Sequence, residues 1–189
     1  MRITMKNAMR TKDITTMALL ATILAILGTF KLPGIVPGTE FQLSAPFAVC
    51  IAACFGFKKY LKIGILASLI NYMLGTHTII NITVAMVFRV VAGGFISLIG
   101  TNPITLLVGG PLGTAAGRLV LAPIMGVSPL PLLLAALPGM FYTAAGAMLL
   151  YPLMKRLTVR FYGELPAGKG ILANWGKGSL NNDNESTAL

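Results

Sequence analysis

Apolar residues in this chain come in long, nearly unbroken runs rather than in alternating or one-sided patterns. Such runs occupy residues 14–30, 41–57, 60–74, 78–100, 104–125 and 132–157, each bounded by polar, glycine- or proline-containing turns. Runs of this kind predict membrane-spanning helices. The run at 78–100 extends ~33 Å as a helix at ~1.5 Å per residue, enough to cross a hydrocarbon core of ~30 Å. The run at 60–74 is short for a span. The pattern therefore predicts an all-α integral membrane protein with six transmembrane helices.

The interruptions carry their own information. Residues 31–40 contain Pro33, Gly34, Pro37 and Gly38, which rule out regular helix. This is long for a link between antiparallel helices, which leaves open a role as a lid. Lys58 and Lys59 stop the second run. Gly109, Gly110, Pro111 and Gly113 fall inside the fifth. Breaks at membrane depth are tolerated only where protein or a cavity covers the freed backbone groups, so helix packing or a hinge is expected there. Pro138 is expected to kink the sixth. Residues 161–189, rich in Gly, Asn and Ser, read as a flexible cytoplasmic tail beside a transmembrane substrate-binding domain at 1–160.

Composition supports the membrane reading. The 189 residues are 56% hydrophobic and 11% charged, against about 25% charged in soluble domains, and the mean hydropathy is +0.81. The net charge of +10 would suggest nucleic acid in a soluble protein. Here the basic residues flank the apolar runs and set orientation instead, so no nucleic-acid partner is expected. The N-terminal tail, the Lys58–Lys59–Lys62 turn and the Lys155–Arg156–Arg160 end are Lys/Arg-rich, whereas the turns after the first, third and fifth runs hold only Lys31. Six spans put every basic cluster on one side, giving cytoplasmic termini in a multi-pass cell-membrane protein; five or seven would split them. The basic start and first run are read as a retained helix, not as a signal peptide. Cys50 and Cys54 lie within the second run with no histidine nearby, and His77 is the single histidine, so no metal or other cofactor is expected.

The candidate chemistry lies in the polar residues that the spans carry. Arg89 sits ~16 Å from either end of its helix, where exposure to lipid costs at least ~2.5 kcal/mol. No acidic residue occurs between Phe41 and Gly163 to pair with it. Either backbone carbonyls in a tight bundle satisfy it, or its charge is left for a solute. Arg118 falls ~21 Å along the fifth helix, in the outer half. Asn71, Tyr72, His77, Asn81, Glu40, Gln42 and Ser44 gather at the same side, with Tyr142 and Thr143 near the middle of the sixth helix. A through-channel needs polar lining along its whole length; this one-sided distribution suits a pocket open to the outside. The candidate substrate-binding residues are Arg118, Arg89, Asn71, Asn81, His77, Glu40, Gln42 and Tyr142. The ordinary alternatives are interhelical hydrogen bonds for the asparagines, packing for the tyrosines and neutralisation of Arg118 by Glu40.

Enzymatic function is not expected. The spans hold no paired acids, no nucleophile beside a histidine and no phosphate-binding glycine loop. A proton-coupled carrier would keep a titratable acid in the membrane. Active transport would therefore draw its energy from a partner.

On helix 1, Ala18, Ala21 and Ala25 share a face, with Ala21-Thr22-Ile23-Leu24-Ala25 forming an Ala-x-x-x-Ala motif. With the small six-helix layout, the long first outer loop and the outward pocket, the chain resembles the substrate-binding S-components of energy-coupling factor (ECF) transporters over residues 11–160. The resemblance implies high-affinity binding of a small organic solute, delivered to a transmembrane coupling subunit driven by two cytoplasmic ATPases. It implies that Ala18, Ala21 and Ala25 dock on that subunit and that the 31–40 loop closes over the substrate. The family's metal-binding branch wants a histidine-rich ligand set that is missing here. Arginines without intramembrane acids favour a carboxylate or phosphate on the solute, and the neighbouring asparagines and tyrosines favour a vitamin, a vitamin precursor or an amino acid. A self-contained secondary carrier or facilitator, and a non-transport membrane protein, are the other classes open.

Overall fold

The computed structural model describes residues 2–33, 40–165 and 167, with side chains placed for 11–30, 42–165 and 167. It is helical apart from one short strand pair. In chain order the elements are α1 (Arg2–Thr29), β1 (Lys31–Pro33), β2 (Glu40–Gln42), α2 (Ser44–Met73), α3 (Ile79–Ile99), α4 (Pro103–Met125) and α5 (Pro129–Tyr162). The strands were not foreseen. Lys31 pairs with Gln42, and Pro33 with Glu40, in an antiparallel ladder that ties the end of α1 to the start of α2. Residues 34–39, where the lid was expected, lie outside the described residues.

Five helices replace the six expected among the described residues, because 41–57 and 60–74 merge into α2. The merger conceals a reversal. Gly56 adopts φ 78°, ψ 167°, a left-handed value that glycine takes without a Cβ penalty. Ser44 and Asn71, near the two ends of α2, both lie within 4 Å of where a Cβ on Gly28 would sit. The middle of α2 instead reaches the start of α1, where Lys59 pairs with Asp13 at 2.9 Å. Asp13 and Gly28 are ~22 Å apart along α1. The arms 44–55 and 57–73 must therefore run in opposite directions. The break frees carbonyls that the apolar surroundings cannot hydrate. Thr101 Oγ1 donates to the Ala53 carbonyl at 3.2 Å, and the Ala167 N–H donates to that of Cys54 at 3.0 Å.

The first arm of α2 is the central post of the bundle. Every residue from Ala48 to Phe55 is buried, which explains why this stretch is apolar on all faces. Cys50 and Cys54 are free thiols within it, and the Cys50 thiol donates to the Ala147 carbonyl at 3.4 Å. Around it the outward faces of α1, α3, α4 and α5 carry exposed Leu19, Ile26, Leu98, Leu119, Phe141 and Leu149. Apolar surface on that scale is untenable in water and suits lipid. Four helical stretches are long and apolar enough to span: Thr11–Thr29, Ile79–Ile99, Pro103–Met125 and Pro129–Tyr162.

The glycines of α4 make close packing. Gly109 lies against Ile96, Gly113 against Phe88 and Ala92, and Gly117 against Val84. Spaced every fourth residue, they let α4 lie antiparallel on α3, and Gly110 abuts Thr143 of α5 in the same way. Packing is thus their role. At one end of the bundle Lys12 and Lys59 stand over the Tyr162 ring at 5.0 and 5.4 Å, and Lys12 donates to the Phe161 carbonyl. This joins the start of α1, the α2 reversal and the end of α5. Residues 161 and 162, expected in the tail, belong to α5, and Leu165 packs on the core; residues 168–189 lie outside the described residues.

Candidate functional site

A cavity of about 260 Å³ lies among α3, α4, α5 and the start of α2, away from the Lys12–Asp13–Lys59 end. Each wall is a helical stripe. α3 contributes Asn81, Val84, Ala85, Phe88 and Arg89; α4 contributes Gly113, Thr114, Gly117, Arg118 and Leu121; α5 contributes Gly139, Tyr142 and Thr143. These spacings of three and four mark one face of each helix. The glycines serve twice, since the lack of side chains that lets α4 approach α3 also leaves the space between them.

Of the expected site residues, the cavity brings together Gln42, Asn81, Arg89, Arg118 and Tyr142. Asn71 and His77 are placed elsewhere. Both lie against Gly28 at the junction of α1 and α2, where the Asn71 carbonyl accepts from Thr76 N, Thr76 Oγ1 and His77 N. Asn71 is buried, and its Oδ1 has no hydrogen-bond partner among the described residues. Glu40 is in β2, but its side chain lies outside the described residues, and with it the suggested neutralisation of Arg118.

The register of α3 on α4 sets the depth of the two arginines. Gly117 packs on Val84, so Arg118 is level with the first turns of α3, and Arg89 lies ~8–9 Å deeper at ~1.5 Å per residue. Arg89 is only 9% exposed. Its Nη1 donates to Ser68 Oγ at 2.6 Å and touches Met86 Sδ at 3.5 Å, so a hydroxyl and a thioether hold it rather than carbonyls. Arg118 is half-buried and makes no hydrogen bond or ion pair with a described residue. Among the described residues, no acidic side chain lines the cavity. Thr114 and Thr143 donate to the carbonyls of Gly110 and Gly139, which leaves their oxygens able to accept. Two cationic groups, an amide pair and hydroxyls in a partly apolar chamber can hold a small organic anion.

Phe88, Thr114 and Leu121 were missed in the sequence, although Thr114 and Leu121 follow from Arg118 by helical periodicity. Ala21 and Ala25 are 0% and 2% exposed, packed in the chain's own core, and only Ala18 of the three is open to a partner. Among the described residues no cluster of His, Cys, Asp or Glu could hold a metal ion.

Fold and cavity together define a helical, multi-pass membrane protein with a cationic chamber among its helices. The chain is 48% identical over 147 residues to Protein BioX of Lysinibacillus sphaericus, covering 78% of this chain and 87% of that protein. It belongs to the BioX family. No family model matches the chain, and no solved structure matches it.

Proposed function

We propose that this chain is the solute-binding subunit of an ECF-type uptake system, taking biotin or a carboxylate precursor of biotin from outside the cell. The observation that carries this reading is the cavity itself: two arginines, Arg89 and Arg118, in a membrane-embedded chamber with no acid in its lining among the described residues. A buried positive charge without a counter-charge is costly, and an anionic solute removes that cost. The relative's name, Protein BioX, is the ground for placing biotin and its precursors first among the candidate solutes. Biotin and its precursors carry a carboxylate, which narrows the earlier range of vitamins, precursors and amino acids. The chain then binds with high affinity and hands the solute to a coupling subunit and two ATPases. Ala18, Thr22 and Ile26 form an exposed stripe on α1 and replace Ala21 and Ala25 as the docking face.

In this reading α1, the two arms of α2, α3, α4 and α5 make six crossings in the cell membrane, with both termini cytoplasmic. A cysteine at Thr76, in the turn before α3, is expected to label from outside, and one at Lys58, beside the Gly56 reversal, from inside. Labelling of both from one side would overturn the topology.

The test of function is binding and uptake of radiolabelled biotin and its carboxylate precursors. The purified chain should bind at least one of these solutes alone, yet fill proteoliposomes only when a coupling subunit, ATPases and ATP are present. The burial of Ala21 and Ala25 favours a second reading, a self-contained facilitator, and uptake by the chain alone would establish it.

A further inference from the structure

Resting on that reading of the cavity, we infer that Gly64 and Ser68 are positioning residues for the solute's carboxylate, acting through Arg89. Neither lines the cavity; both stand behind Arg89 on the second arm of α2. They are one helical turn apart and both buried, so they face α3 together.

Gly64 has no backbone reason to be glycine. Its conformation is not among the positive-φ glycines, and a glycine inside a helix costs about 1 kcal/mol relative to alanine. What it provides is room. A Cβ there would fall 2.6 Å from Arg89 Nε and 3.3 Å from Cζ, so the arginine stem occupies the volume that a side chain would need. Ser68 then accepts from Nη1 at 2.6 Å. Stem and one nitrogen are thereby fixed, and the guanidinium plane with them.

The chemistry of the seat is selective. A carboxylate at position 68 would also hold Arg89, but it would cancel the charge. A hydroxyl orients the guanidinium and leaves it cationic. Nε and Nη2 make no hydrogen bond with a described residue. Those two nitrogens form the side-on fork that matches a carboxylate in two parallel hydrogen bonds. The seat therefore engages one nitrogen and leaves the other two without a hydrogen bond to a described residue, available to the solute's carboxylate.

The test compares affinity for a carboxylate with affinity for its uncharged amide, using biotin and biotinamide together with short alkanoic acids and their primary amides. Melting temperature is followed in parallel. Ser68→Ala should reduce the acid-over-amide preference about tenfold, because a mobile guanidinium loses one well-aligned charged contact. Ser68→Thr, which restores the hydroxyl, should recover most of it. Gly64→Ala should reduce the preference similarly by pushing the stem aside. A purely structural seat predicts lower melting temperatures with the acid-over-amide ratio unchanged, and that result overturns the inference. If the unaltered protein shows no acid preference, the anion reading of the cavity falls and this inference with it. If it does, and Arg89→Gln abolishes the preference while the Ser68 and Gly64 variants keep it, only the positioning role is lost.

Discussion

Arg118→Gln is expected to weaken binding of a carboxylate solute roughly ten- to hundredfold while leaving the melting temperature nearly unchanged. The expectation follows from what Arg118 lacks. It lines the cavity, half-buried, and makes no hydrogen bond or ion pair with any described residue. Removing it breaks no contact among the described residues, so the loss is expected to fall on the bound state. A charge-assisted hydrogen bond contributes about 1.5–3 kcal/mol, which sets the range. Arg118→Lys keeps the charge but not the planar fork, and its shorter reach should recover binding only in part. Isothermal titration beside thermal melting checks both numbers. A fall in melting temperature with unchanged affinity would place Arg118 in the scaffold instead.

The depth of each polar group was legible in the sequence, and its azimuth was not. Counting along the runs put Asn71, His77, Asn81 and Arg118 in the same half of the bundle. Which side of its helix each presents depends on the neighbouring helices. Asn81 and Arg118 turn into the cavity, whereas Asn71 and His77 turn towards Gly28. The same gap explains helix 1. Alanines spaced three and four apart predict a close helix approach, but spacing alone does not say to which helix. Ala21 and Ala25 spend that approach on the chain's own core.

The reversal in α2 was nearly readable. The lysine pair marked the boundary, while the residue that turns the chain is Gly56, two positions before Lys58, because left-handed backbone needs glycine and not charge. The α2 seat of Arg89 was the least visible feature. A search for a partner to a membrane arginine looks for acids, and finding none leaves carbonyls or a solute. Ser68 and Gly64 are neutral, small and on another helix, and only the packing of α2 on α3 brings them to it.

The packing also makes a prediction that separates Arg89 from Arg118. Arg89→Met should raise the melting temperature and abolish uptake. A buried guanidinium with only a hydroxyl and a thioether for company retains much of its desolvation penalty, ~2.5–3.5 kcal/mol on insertion scales for the helix centre. Methionine follows the same path over Gly64, fills an irregular space and carries no charge. Ser68 loses its donor, but a helical serine can turn back to the carbonyl four residues earlier, so its hydroxyl need not stay orphaned. The net gain of about 1–2 kcal/mol corresponds to a rise of about 2–8 °C for a chain of this size. The solute loses its deeper cationic contact, so affinity should fall at least tenfold and uptake at working concentrations with it. Such a trade of stability for binding is the signature of a charge kept for function. Thermal melting in detergent and uptake in reconstituted membranes measure the two sides independently. A lower melting temperature with affinity retained would instead make Arg89 a bolt between α2 and α3, satisfied by Ser68 and indifferent to the solute.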